Sequence, residues 1–230
     1  MMDPNVAQVM DNISAACRRA GRDPGDVKLL AVTKQVPVET VRRAVELGLK
    51  LIGENRVQEA RSKAAEGAYA GAALCMIGHL QSNKASLAAR VFDQVHAIDS
   101  ERIGAVLSKF RLLYNPGDPM PVLLEVNAGR DPARFGVMPE GAADLARRVL
   151  AMGGLVLKGL MAVAPGYGDE RLARTAFRQL RELRDGLARQ GTPEKNLEEL
   201  SMGMSGDYQI AVEEGSTMVR IGTALFGPRR

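Results

Sequence analysis

The sequence predicts a closed (β/α)₈ (TIM) barrel with an extra N-terminal helix, on three observations. Short runs rich in Val, Ile and Leu alternate with longer amphipathic stretches, and the pair recurs through eight strand positions. That alternation argues a parallel sheet wrapped by helices. The 230 residues are enough for one such barrel. The rival architecture, an open doubly wound sheet, commonly follows its first strand with a GxGxxG turn. Here the first clear strand is followed by Lys34-Gln35-Val36-Pro37, without a glycine.

The elements follow in order. Residues 5–20 form the additional helix, placed over the outer wall or the N-terminal mouth of the barrel. Residues 27–33 (VKLLAVT) are the first strand, and Val41, Ala44, Val45 and Gly48 then recur at helical spacing. Residues 49–52 and 55–66 make the second pair, 74–77 and 83–90 the third, 94–98 and 101–113 the fourth. Residues 121–127 and 139–152 follow, then 155–163 and 169–188. In that long helix Ala173, Ala176, Phe177, Leu180, Leu183 and Leu187 mark the buried stripe. Residues 199–201, 207–214 and 218–221 with a short tail complete the eight units. The Pro/Gly clusters at 115–119 and 165–168 are loop-sized and no linker is evident, so one domain is expected over 1–230.

Composition narrows the function classes. Apolar residues are 46% and charged residues 25% of the chain, as in folded globular domains. No run of about 18 apolar residues predicts a membrane span. The N-terminus, Met1-Met2-Asp3-Pro4, lacks the cationic and apolar segments of a signal peptide. Cys17 and Cys75 form no CxxC pattern and fall in apolar surroundings, so they predict small core residues of a cytoplasmic protein and no metal centre. The formal charge is +4, from 31 basic and 27 acidic side chains. Arg171, Arg174, Arg178, Arg181 and Arg184 alternate with Glu182 and Asp185 as a solvated helix face. With five Phe, four Tyr and no Trp, stacking platforms for nucleic acid are scarce, and none is expected as a partner. The chain is long enough to bury its own core, which predicts a monomer.

A barrel of this kind places its chemistry at the C-terminal ends of the strands. Lys34 ends the first one. A lysine there can lose solvation and become a nucleophilic amine suited to condensing with an aldehyde. It can equally be a strand-end lysine reaching water. Ser205, Gly222 and Thr223 fall in small-residue turns after the last two strands, where barrels often hold a phosphate. They can also be no more than tight turns. Arg220 alternates with Val219 and Ile221 and so points into the barrel. Its partner there is either a structural carboxylate or a ligand's ring nitrogen or carboxylate. His79 follows the third strand as a candidate base or a hydrogen-bonding neighbour, and His96, inside a strand, is expected to be structural.

These residues carry a resemblance to the YggS/PROSC family of pyridoxal 5′-phosphate (PLP) homeostasis proteins, over nearly the whole chain. The matching blocks are Ala31-Val32-Thr33-Lys34, Gly53-Glu54-Asn55-Arg56-Val57-Gln58-Glu59 and the run from Ile77 to Lys84 (IGHLQSNK). The most specific are Leu200-Ser201-Met202-Gly203-Met204-Ser205 and the run from Gly215 to Thr223 (GSTMVRIGT). The resemblance implies a barrel related to the N-terminal domain of alanine racemase, with PLP as cofactor, held as an internal aldimine. Carried onto this chain, Lys34 would be the Schiff-base lysine and Ser205, Gly222 and Thr223 would hold the phosphate. Arg220 would face the pyridine nitrogen, and Asn55 would stand near the cofactor. The chain departs from the family at Arg56, often aromatic there, at Leu74-Cys75-Met76-Ile77-Gly78, and in the loop 129–136.

The resemblance implies a PLP binder without substantial turnover, serving PLP homeostasis and possible transfer to apo PLP-dependent enzymes. The alternative is a small PLP-dependent amino-acid racemase. An arginine beside the ring nitrogen disfavours protonation there and weakens the ring as an electron sink. Racemization also needs an acid–base group on each face of the substrate. Alanine racemase takes its opposing tyrosine from a second domain, and none is expected in this chain. Tyr69 and Tyr114 are expected on the surface or in packing, while Tyr167 and Tyr208 could reach the mouth. An aldolase acting on a sugar phosphate through the same lysine is a third reading, one without a bound chromophore.

Overall fold

The computed structural model describes residues 4–166 and 168–228. Its eight parallel strands close into a barrel in chain order. They are β1 (Lys28–Val32), β2 (Leu51–Glu54), β3 (Ala73–Met76), β4 (Gln94–Ile98), β5 (Met120–Glu125), β6 (Leu155–Met161), β7 (Glu199–Ser201) and β8 (Met218–Ile221). The helices are α1 (Pro4–Arg19), α2 (Val38–Glu46), α3 (Val57–Ala65), α4 (Ala85–Val91), α5 (Glu101–Tyr114), α6 (Ala142–Leu150), α7 (Glu170–Arg189), α8 (Tyr208–Glu213) and α9 (Thr223–Phe226). β1 pairs with both β2 and β8, so Leu30 lies between Leu51 and Arg220 and no sheet edge remains.

The main core fills the space between strands and helices, with Ile13, Ile52, Leu80, Phe92, Leu107 and Phe177 among its fully buried side chains. A smaller cluster of Leu30, Val32, Cys75 and Met218 packs inside the barrel. Both cysteines are free and buried. At the N-terminal end of the strands Lys28 on β1 pairs with Glu199 on β7 at 2.7 Å.

The helix expected over 5–20 is α1, and of its two expected positions the outer wall is the observed one. It packs on α8 and α9: Asn5 donates to the Leu225 carbonyl at 3.0 Å and Asn12 to the Tyr208 hydroxyl at 2.8 Å. Among the described residues no helix is long and apolar enough to cross a membrane.

Candidate functional site

Four neighbouring strands round the closed barrel, β7, β8, β1 and β2, build one wall of a mouth at their C-terminal ends. Lys34 stands one residue beyond Thr33 after β1, half-buried, and Asn55 directly follows Glu54 at the end of β2. Arg220 lies within β8, while Gly222 and Thr223 follow it. Ser205 sits in the turn between β7 and α8. All six line a single cavity of about 480 Å³, a volume suited to a small organic ligand. Val32, Ile77, Val163, Met204 and Gly206 complete it with Arg134.

The Ser205 turn is set by backbone geometry. Gly203 has φ +96, and a Cβ there would meet the Ala211 Cβ at 2.5 Å, so a left-handed glycine brings the turn against α8. The Gly203 carbonyl accepts from the Arg220 N–H at 2.9 Å, which ties this turn to β8. Asp207 closes it by accepting from the Met204 N–H at 2.6 Å. Two backbone donors then converge on one oxygen: Gly222 N–H at 3.3 Å and Ala224 N–H at 3.2 Å from Ser205 Oγ. Donors aimed at one point, beside a hydroxyl that can donate in turn, are the chemistry a phosphate needs. The donor set therefore fits a phosphate-bearing ligand.

Arg220 is 4% exposed. One guanidinium nitrogen donates to Ser201 O and Oγ at 2.6 and 2.7 Å, and the other to the Ala162 carbonyl at 2.8 Å. Its hydrogen-bond acceptors are thus carbonyls and a hydroxyl rather than the structural carboxylate considered from sequence. Burial lowers its pKa to about 10, against the pull of the Glu125 and Asp207 carboxylates. It remains a cation at neutral pH, locked in orientation beside the cavity. Burial raises the Glu125 carboxyl to about 7, with Asp99 adding to the rise and Arg220 opposing it. Burial also raises Asp207.

The remaining candidates go elsewhere. His79 lines a different, 580 Å³ cavity with Asp99, Arg102 and Arg134. Its Nδ1 lies 3.2 Å from Asp99 Oδ2, and its ring stacks on Phe135 at 3.7 Å. His96 is fully buried inside the barrel, with Nε2 3.1 Å from Gln94 Oε1. Burial and the Arg220 and Lys28 charges hold its pKa near 3, so it stays neutral. Tyr208 faces α1 rather than the mouth. Tyr69 is buried against Glu54 at 3.1 Å, and Tyr167 lies outside the described residues. Among the described residues no group of three or more His, Cys, Asp or Glu side chains could hold a metal ion.

Sequence reasoning missed Arg134, whose loop is folded by Asn127 Nδ2 donating to Asp131 O at 2.8 Å. It also left Glu59 and Lys63 without a role, although Glu59 stands in a block singled out from sequence.

A (β/α)₈ barrel with a strand-end lysine, a buried arginine and a donor-rich turn at one mouth defines a class of barrels suited to phosphate-bearing cofactors or substrates. Comparison with known proteins narrows the class. The family model for the alanine racemase N-terminal domain matches residues 5–230. A Vibrio cholerae protein named pyridoxal phosphate homeostasis protein is 41% identical over 229 residues, covering 98% of this chain and 95% of its own. The structure of PipY from Synechococcus elongatus with PLP bound superposes with TM-score 0.82 at 33% identity, covering 95% of this chain and 100% of that one. Alanine racemase of Clostridium difficile shares the fold, with TM-score 0.76 at 14% identity, and this chain spans 56% of it. The chain belongs to the alanine racemase N-terminal domain family and, within it, to the pyridoxal phosphate homeostasis proteins.

Proposed function

We propose that this protein binds pyridoxal 5′-phosphate through Lys34 and holds it for cellular supply rather than for turnover. The observation that carries the reading is the convergence of Lys34, Asn55, Ser205, Arg220, Gly222 and Thr223 on one cavity. When bound, the cofactor brings an aldehyde that an amine can capture and a ring that can delocalise charge. Lys34 supplies the amine. Ser205 and the backbone at Gly222 and Thr223 would hold the phosphate, and Asn55 would stand beside the ring. Arg220, held by Ser201 and Ala162, is a fixed cation that would face the ring nitrogen of the bound group and oppose its protonation. A ring kept neutral is a weak electron sink, which favours storage over racemization. The protein works in the cytoplasm as a monomer and passes its ligand to apo-enzymes that use it.

Borohydride treatment of the PLP-loaded protein, then peptide mass analysis, tests the attachment. The pyridoxyl group is expected on Lys34, and finding it on Lys84 or Lys158 would refute the assignment. Incubation of the same preparation with alanine in heavy water tests the rest. Alpha-proton exchange at about 1 s⁻¹ or faster, an ordinary enzyme rate, would restore the racemase reading.

A further inference from the structure

Lys34 is carried by a turn that its own sequence does not favour. The Val36 N–H donates to the Thr33 carbonyl at 3.0 Å, closing a four-residue turn with Lys34 and Gln35 at its centre. Gln35 has φ +60, the mark of a type II turn, where that position normally calls for glycine or asparagine. The two common orientations of the central peptide, types I and II, differ in ψ of Lys34 and φ of Gln35. A residue with a side chain at the second position leans toward the other orientation. Something outside the turn must select the one observed.

The selecting contacts come from α3 and the end of β2. Glu59 Oε1 accepts from the Gln35 N–H at 2.5 Å and from Lys63 Nζ at 2.7 Å. Lys63 Nζ also donates to the Thr33 carbonyl at 2.7 Å and to Glu54 Oε1 at 2.8 Å. Glu54 Oε1 in turn accepts from Thr33 Oγ1 at 2.7 Å and from the Tyr69 hydroxyl at 3.1 Å. Thr33 and Glu54 are fully buried and Lys63 is 7% exposed. The Lys63 ammonium thus has three acceptors and is fully engaged, while both peptide groups flanking Lys34 are tied to one ion cluster. Flipping the Lys34–Gln35 peptide would remove the N–H from Glu59 and turn the Lys34 carbonyl toward a carboxylate.

We propose that Glu59 and Lys63 are positioning residues for Lys34, clamping its turn in the left-handed form so that the amine is presented to the cavity. The proposal rests on the reading that Lys34 captures the PLP aldehyde. In that step the neutral amine adds to the carbonyl carbon, a C=N bond forms, and the carbonyl oxygen leaves as water with the two amine protons.

The test compares two ligands on the full chain. PLP reads amine capture through the C=N absorption band, and pyridoxine 5′-phosphate, an alcohol, reads the ring and phosphate contacts alone. Glu59→Ala should bind pyridoxine 5′-phosphate within about twofold of the parent. Its C=N formation should fall on the order of tenfold, the scale of one strained backbone residue left unsupported. Adding Gln35→Gly to Glu59→Ala should restore most of it, because glycine takes φ +60 without strain. Glu59→Gln keeps a weaker acceptor and should lose roughly two- to threefold. If Glu59→Ala does not fold, the Gln variant carries the same contrast. An unchanged C=N band in the variants, an equal loss with both ligands, or no restoration by glycine would overturn the clamp alone. A parent protein that binds PLP without a C=N band would overturn the cofactor reading and the clamp together.

Discussion

Ser205 gathers two backbone donors onto one hydroxyl, with the Gly222 and Ala224 N–H groups both within 3.3 Å of it, and in the proposed function this is where the phosphate would sit. Replacing it by alanine leaves the backbone donors in place and removes one charge-assisted hydrogen bond. Ser205→Ala should therefore weaken PLP retention by about 1–3 kcal/mol, measured by equilibrium dialysis. Pyridoxal, which lacks the phosphate, should bind more weakly to the parent and be indifferent to the substitution. Equal loss for both ligands would place the phosphate elsewhere. Single residues of this kind were legible because a barrel tells strand ends from strand middles. Lys34, Ser205 and Arg220 could be placed by counting along their own strands. Arg134 could not, since its loop has no periodicity and its path depends on contacts such as Asn127 with Asp131. Glu59 and Lys63 sit one helical turn apart, but the backbone they hold is 24 and 30 residues away in the chain.

At the level of elements, the strands β4, β7 and β8 fall where alternation predicts them, while β2 starts at Leu51, two residues later than expected. The reason is a helix cap. Gly48, at φ +104, ends α2 in the left-handed form, and the Leu49 N–H turns back to the Ala44 carbonyl at 3.1 Å. Leu49 is buried as the apolar half of that cap, so a hydrophobic run alone assigns it to the strand. A second left-handed glycine does functional work in the β7–α8 turn. Gly203→Ala would push a methyl to within 2.5 Å of the Ala211 Cβ and 2.9 Å of the Tyr208 Cα. The variant should lose about 1–3 kcal/mol of folding stability. The displaced Ser205 turn should weaken PLP and pyridoxine 5′-phosphate alike, a pattern opposite to that of Glu59→Ala. Urea midpoints and ligand titrations on one preparation check both parts, and a fully stable variant with intact binding would refute the packing argument.

Across the whole molecule, the barrel carries a buried histidine and a half-buried carboxylate whose effects on stability oppose each other. His96 has a folded pKa near 3 against an ordinary 6.5. Between those values the unfolded chain binds a proton that the folded one refuses, so this residue makes stability rise with pH up to about 6.5. Glu125 has a folded pKa near 7 against an ordinary 4.5. Between those values the folded chain keeps a proton that the unfolded one has released, so this residue makes stability fall as pH rises. The two windows overlap from 4.5 to 6.5, and there the slopes cancel, each about 1.4 kcal/mol per pH unit. Glu125→Gln keeps the shape and the neutral form of the side chain but cannot ionise, so of this opposing pair only the His96 slope remains. The variant should gain on the parent steadily from pH 4.5 to 7, by roughly 3 kcal/mol in all. Other carboxylates, such as Glu213 and Glu214 with their arginine partners, contribute equally to both proteins and drop out of the difference. Urea unfolding of parent and variant at half-unit steps across this range measures it. Parallel curves would show that Glu125 titrates as a solvated carboxylate and that the mouth of the barrel is wetter than its burial implies.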